Sequence, residues 1–270
     1  MAFSKKLIIP WLFLLAGAAW AQGPVIFPGG ILNGASFDKT GQPVAPGSLI
    51  SIFGTNLVDP SGAAVGVTFN GIAAPVTGMF HLDGYDQINA EVPWQVLPVL
   101  PPGTAGTTGV PVIVTSAGAS STPFTAQISA AAPGIFTFSS GPGQAIAYGN
   151  FDYAIAAPVN SGLPFTSHPA KIGDPNTLVI LATGLGVVDN PVADGGVPAP
   201  GVLSRAVITP AVLVGNVPAQ VVFAGLTQYP GVFQINIIIA ANTPTGDAVS
   251  LQIQMNGITT RNDATIAVSQ

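Results

Sequence analysis

The chain contains no cysteine. That removes disulfides, thiol nucleophiles, thiolate metal sites and a lipidated cysteine. Charge is nearly as scarce: Asp, Glu, Lys and Arg make up 6% of 270 residues, against about 25% in an ordinary soluble domain. Two histidines, His81 and His168, and one glutamate, Glu91, leave few side chains for acid–base or paired-carboxylate chemistry. Beyond residue 21 no apolar run has the length of a membrane-spanning helix, and none holds a helical period. Without its first 21 residues the chain keeps four basic residues against eleven acidic ones, a net −7. Such a chain has no cationic footprint for nucleic acid or for an anionic membrane surface.

What is present is apolar and heavily punctuated. Hydrophobic residues make up 48%, with 33 Gly and 26 Pro. The Gly and Pro interrupt β-branched runs rather than forming tracts, which predicts a folded all-β chain with many turns. At the N-terminus, Lys5 and Lys6 precede an apolar run from Leu7 to Ala19, closed by Ala19-Trp20-Ala21. Residues 1–21 therefore read as a cleavable signal peptide, with a mature chain from Gln22 that is secreted or held at the cell surface.

The chain also repeats itself. Ser48–Leu57 recurs as Asn176–Leu185, Val67–Val76 as Val212–Val221, and Thr115–Ser121 as Gln254–Thr260. Gln87-Ile88-Asn89 recurs unchanged as Gln234-Ile235-Asn236. Four matches in one order describe a duplicated β unit whose length differences fall in loops. The alternation in Gln87–Val92 places Ile88, Ala90 and Val92 on one face, and Gln87, Asn89 and Glu91 on the other. Asn70-Gly71 and Asn256-Gly257 are type I′ hairpin signals. Six or seven short strands per repeat, with turns every 8 to 12 residues, predict two tandem immunoglobulin-like β-sandwiches. The reading divides the chain into a lead segment (22–44), a first sandwich (45–130), an inserted connecting segment (131–173) and a second sandwich (174–270). Residues 98–109 read as a loop. Leu49, Ile52, Phe69, Ile88 and Val112 are expected in the first core. Leu178, Ile180, Val214, Ile235, Leu251 and Ile253 are expected in the second.

The order Pro46-Gly47, strand, Gly54-Thr-Asn-Leu57, Phe69-Asn-Gly71, Val92-Pro93, then Val110–Ser121 resembles the IPT/TIG branch of immunoglobulin-like domains. A fuller pattern adds Ile31–Phe37, Val92-Pro-Trp94, Ala132-Pro-Gly-Ile-Phe136, Thr183-Gly-Leu-Gly186 and Gly231–Asn236. It resembles an uncharacterised C-terminal domain of exported proteins in Acidobacteria-type soil bacteria. The resemblance spans residues 31–270 and implies a fold and an exported location. It implies no activity.

Few constellations could carry chemistry. His81, Asp83 and Asp86 lie close in sequence, as a small acid–base or metal cluster would, or as an ordinary polar loop would. Asp189-Asn-Pro-Val-Ala-Asp194 and Asp83-Gly-Tyr-Asp86 could each contribute to a calcium loop, but neither matches an EF-hand or a repeat-type calcium loop. Gly184-Leu-Gly186 follows a strand, yet no lysine or helix follows, as phosphate binding would require. The repeated amides Gln87, Asn89, Gln234 and Asn236 could bond to loop backbone and pin their strands. They could instead form a ligand surface, with Trp94, Tyr85 and Tyr229 as stacking partners. The ligand surface expected from sequence is Gln87, Asn89, Trp94, Gln234 and Asn236, with no catalytic residue, cofactor or metal. The leading expectation is an exported, non-enzymatic binding or adhesion module whose partner is a polysaccharide or another cell-surface component. One alternative is a self-associating structural subunit, since few lysines guard its sheet edges. The other is a weak hydrolytic or metal-dependent enzyme using His81, Asp83 and Asp86.

Overall fold

The computed structural model describes residues 22–97 and 106–270; the signal peptide expected at 1–21 and most of the loop expected at 98–109 lie outside them. Among the described residues every regular element is a strand, so no helix is long and apolar enough to cross a membrane.

The first sandwich is built from β1 (Val25–Asn33), β2 (Leu49–Thr55), β3 (Gly66–Phe69), β4 (Ile72–Ala73), β5 (Val76–Leu82), β6 (Tyr85–Glu91), β7 (Thr108–Ser116), β8 (Ala119–Ser120) and β9 (Phe124–Ile128). One sheet runs β1-β2-β6-β5; the facing sheet joins β4, β3, β7, β8 and β9. The lead segment thus supplies an edge strand, because Ile31 and Leu32 pair with Ile52 and Ser51.

The connecting segment forms six short strands: β10 (Gly134–Ile135), β11 (Gly143–Gln144), β12 (Ala147–Gly149), β13 (Ile155–Ala156), β14 (Ser167–His168) and β15 (Ala170–Lys171). They lie on the second sandwich, which comprises β16 (Leu178–Thr183), β17 (Ala211–Val214), β18 (Val217–Leu226), β19 (Phe233–Ile238), β20 (Gly246–Met255), β21 (Ile258–Thr259) and β22 (Ala264–Ser269). β12 extends one sheet beyond β16, and β11 and β15 run parallel along β22. The outer strands of this sandwich are therefore covered, which blunts the edges available for pairing with other chains. β18 crosses between sheets. Val217–Ala219 pairs with β17, and Gln220–Leu226 pairs with β19. In the first sandwich Pro75, which has no N–H to donate, separates the equivalent strands β4 and β5.

The duplication holds at the level of register. Ile52 faces Ile88, and Ile180 faces Ile235. Ser51 faces Asn89, and Val179 faces Asn236. Both repeats carry a bulge at one position, between Val76 and Gly78 and between Val221 and Phe223. The first hairpins of the facing sheets turn through positive φ at Asn70-Gly71 and Gly215-Asn216, as two-residue turns require. The amide of Val114 donates to Ser121 Oγ at 3.0 Å, and that of Ile253 to Thr260 Oγ1 at 2.9 Å.

Two separate cores follow. Ile52, Phe69, Ile88 and Val112 are fully buried in the first; Ile180, Val214, Phe233, Ile235 and Leu251 are fully buried in the second. Each such side chain contributes about 2 kcal/mol by leaving water. Leu49 departs from the expectation: in β2 the alternation sends Ile50 and Ile52 inward and Leu49 outward, to the seam between the sandwiches.

Hydrogen bonds bridge that seam beside the apolar contacts of Leu49 and Trp94. The Leu49 amide donates to Thr183 Oγ1 at 2.9 Å, and the same hydroxyl donates to the Gly231 carbonyl at 2.6 Å. Asn33 Nδ2 donates to the Ala132 carbonyl at 3.1 Å. Arg261 Nη2 donates to the Ser36 carbonyl at 3.3 Å. The Gly184-Leu-Gly186 motif has its explanation here. At both glycines φ is positive, and a Cβ would overlap the carbonyl of Ala132 or Ala130, where the connecting segment leaves the first sandwich.

Candidate functional site: two amide and aromatic faces

Strand alternation puts Gln87 and Asn89 on the solvent face of β6, half-buried, while Ile88 and Ala90 point to the core. β19 does the same with Gln234 and Asn236. Among the described residues the amides bond to neighbouring side chains rather than to loop backbone. Gln87 Nε2 donates to Asn89 Oδ1 at 2.8 Å, and Gln234 Nε2 donates to Asn236 Oδ1 at 3.2 Å. Ser51 Oγ adds a third partner in the first repeat, donating to Asn89 Oδ1 at 2.8 Å. Each face thus carries a short row of linked polar groups with hydrogen-bonding capacity left for a ligand.

Aromatic rings flank both rows. In the first repeat Phe53 and Phe80 stand directly across from Gln87 on either side. Phe53 lies 6.1 Å from Tyr85 and 6.2 Å from Phe37, centroid to centroid. In the second repeat Phe223 stands across from Asn236, and Tyr148 lies one strand further along that row, beyond Val179. Tyr148 and Tyr153 are 6.2 Å apart. Burial raises the Tyr148 phenol above its ordinary range, with smaller contributions from neighbouring Tyr153 and Tyr229. Sequence reasoning proposed Tyr85 and Tyr229 but missed Phe53, Phe80, Tyr148 and Phe223. Cross-strand register, which no local pattern reveals, puts Phe53, Phe80 and Phe223 beside the amides and Tyr148 one strand further along.

Trp94 belongs to neither face. Its ring packs against the second core, and its backbone amide donates to Asp194 Oδ1 at 2.8 Å. Fully buried Glu91 lies beside it and accepts the Gly195 amide through Oε1 at 3.2 Å. Burial lifts the Glu91 carboxyl to about 7; the Gly195 N–H opposes that rise, the Asp194 carboxylate adds to it, and the Trp94 indole opposes it.

His81, Asp83 and Asp86 all line one open pocket of about 390 Å³, where His81 and Asp86 bond to each other. Asp86 is buried, accepts the amides of Leu57 and Val58 at 2.8 and 3.2 Å through one oxygen, and meets His81 Nδ1 at 2.6 Å with the other. Asp86 thereby holds the chain at the end of β2. Asp83 sits in the turn between β5 and β6. Asp189 Oδ1 accepts the Arg205 amide, and Asp194 accepts that of Trp94. Among the described residues no three His, Asp or Glu side chains converge as a metal set would.

The fold also makes a pair that sequence separation hides. His168 Nε2 meets Asp152 Oδ2 at 2.7 Å, at the rim of a cavity of about 180 Å³ in the second sandwich. The other ring nitrogen meets the Pro169 carbonyl at 3.0 Å. Acceptors at both nitrogens favour the imidazolium, so the Pro169 carbonyl and Asp152 raise the His168 pKa, and His168 lowers that of Asp152. With both nitrogens engaged, this histidine has none left to take a proton from a nucleophile.

No protein-family model matches the chain, and no curated protein matches it. Similar solved structures include the extracellular region of plexin A4, with 12% identity and a TM-score of 0.27, covering 98% of this chain and 20% of that one. The glucan-utilization-locus protein SGBP-B of Bacteroides ovatus, solved with a mixed-linkage heptasaccharide, has 10% identity and a TM-score of 0.32, covering 85% and 43%. The tandem Ig repeats of Dlar have 12% identity and a TM-score of 0.22, covering 92% and 99%. The chain spans less than half the length of the first two. The class the fold defines is that of tandem immunoglobulin-like β-sandwich chains.

Proposed function

We propose that this protein is an exported, non-enzymatic binding module of the cell surface or extracellular matrix, and that it recognises carbohydrate through the outer faces of β6 and β19. The observation that carries the reading is the repeated bonded amide pair, Gln87–Asn89 and Gln234–Asn236, flanked by aromatic rings on both solvent faces. Sugar rings present an apolar face ringed by hydroxyls, so flat rings beside amides match them in shape and in hydrogen bonding. His168 supports the non-enzymatic part, because both of its ring nitrogens are engaged.

The test is sedimentation of the purified protein with insoluble polysaccharides and with native cell envelopes. The expected result is saturable pelleting with a polysaccharide that weakens at least tenfold when Gln87, Asn89, Gln234 and Asn236 are all replaced by Ala. Pelleting without any added material would instead favour the self-associating subunit.

A further inference from the structure

The first of the two faces is not flat. Beside Gln87 an open groove of about 700 Å³ is lined by Phe27, Phe37, Phe53 and Tyr85, with Lys39 at its rim. Ser140, from the connecting segment, also lines it, so both halves of the chain build this groove. Its walls have the composition of a sugar site: several rings, one amide and backbone at close range.

Two further observations single the groove out. The first is strain. Among the described residues nine non-glycine residues have positive φ. Five are asparagines and one is Ala117, beside Gly118 in the β7–β8 turn. Left-handed backbone is ordinary for asparagine and for two-residue turns, but costs a bulky residue about 1–2 kcal/mol. The other three are Phe37, Ser140 and Tyr153. Phe37 and Ser140 line this groove, and Tyr153 stands beside Tyr148 on the second face. Such backbone is held where it positions a functional group.

The second observation is charge. The chain from Gln22 onward has four basic residues. Arg261 is paired with Asp263 at 2.9 Å. Lys39, like Lys171 and Arg205, forms no ion pair among the described residues; it is exposed and is the one charged side chain lining the groove. Within the groove, this ammonium stands among tilted aromatic rings with no carboxylate in the lining, a setting that suits a ligand's negative charge.

We propose that this groove binds an acidic glycan, a chain of uronate-bearing sugars whose rings stack on Tyr85 and Phe53, whose hydroxyls meet Gln87, and whose carboxylate meets Lys39. The inference rests on the carbohydrate reading and narrows it to one site and one ligand class.

The experiment titrates the purified protein with a hexamer of galacturonic acid and, separately, with a hexamer of glucose, by isothermal calorimetry at low and at 0.5 M salt. The acidic hexamer binds and the neutral one binds less. Lys39→Gln weakens the acidic hexamer roughly threefold to fivefold, the range of one exposed ion pair, and removes its salt dependence. Tyr85→Ala weakens it about tenfold. Lys39 and Tyr85 are exposed, so both variants should melt as the parent does. Equal binding of the two hexamers, unchanged by Lys39→Gln, overturns the acidic specificity and leaves the carbohydrate reading standing. Binding to neither hexamer, or binding unchanged by both substitutions, overturns this groove as the site. Polysaccharide pelleting that depends on Gln234 and Asn236 would still separate that failure from a failure of the general reading.

Discussion

Asp86 and Glu91 sit at the two ends of β6, and the fold uses them differently. Asp86 spends its charge on two backbone amides and His81. Asp86→Ala should cost about 3 kcal/mol by leaving those buried donors unpaired, while His81→Ala should cost less than about 1 kcal/mol. Chemical denaturation of the two variants checks this; similar losses would contradict an anchoring role for Asp86. Glu91 instead holds its proton in the folded chain below about pH 7. Its carboxyl titrates at about 7 against an ordinary 4.5, so the folded chain binds a proton that the unfolded chain has released. Its contribution to stability is therefore full below pH 4.5, falls as pH rises, and is lost above about 7. By the usual conversion the span is about 3 kcal/mol. Thermal melts between pH 4.5 and 8 should show this decline, and Glu91→Gln should flatten it. The sequence offered no hint of this behaviour, because the groups around Glu91 include Asp194 and Gly195, more than a hundred residues away.

Among the elements, what was legible depended on what is local. Alternation in β6 and β19 told which face Gln87, Asn89, Gln234 and Asn236 would occupy, since a strand has a fixed period of two. Turn chemistry identified Asn70-Gly71 and Asn256-Gly257. Alternation also governs Leu49, which faces outward because Ile50 and Ile52 claim the core; reading the run as uniformly apolar concealed that. The Gly184-Leu-Gly186 motif looked like a truncated phosphate loop because its real partner, the carbonyls of Ala130 and Ala132, cannot be seen in sequence. A paired substitution isolates that crossing. Gly71 and Gly184 both have φ near +78°, but a Cβ at Gly71 meets open space. Gly71→Ala should cost about 1 kcal/mol of backbone strain, and Gly184→Ala at least about 2 kcal/mol more, because the segment carrying the Ala132 carbonyl must move. Equal losses in urea denaturation would contradict the crossing as the reason for that glycine.

At the scale of the whole molecule, duplication made the tandem architecture readable and left the seam invisible. Recurring strands predict two sandwiches; nothing in the recurrence says that Thr183 would bridge Leu49 and Gly231, or that Trp94 would leave the surface to pack on the second core. The connecting segment likewise had no pattern to show that its short strands would flank β16 and β22. Those contacts bring Ser140 to a groove made otherwise by the lead segment and the first repeat, so the proposed binding groove belongs to the assembled chain. The central claim is that the two amide and aromatic faces are binding surfaces. It is tested most directly by binding isotherms on a polysaccharide that pellets the protein, comparing the parent with Gln87→Ala/Asn89→Ala, Gln234→Ala/Asn236→Ala and the combined variant. The account predicts a loss from each pair and a larger loss from the combination, as two sites engaging one polymer require. Isotherms identical to the parent in all three, with unchanged melting temperatures, would contradict it.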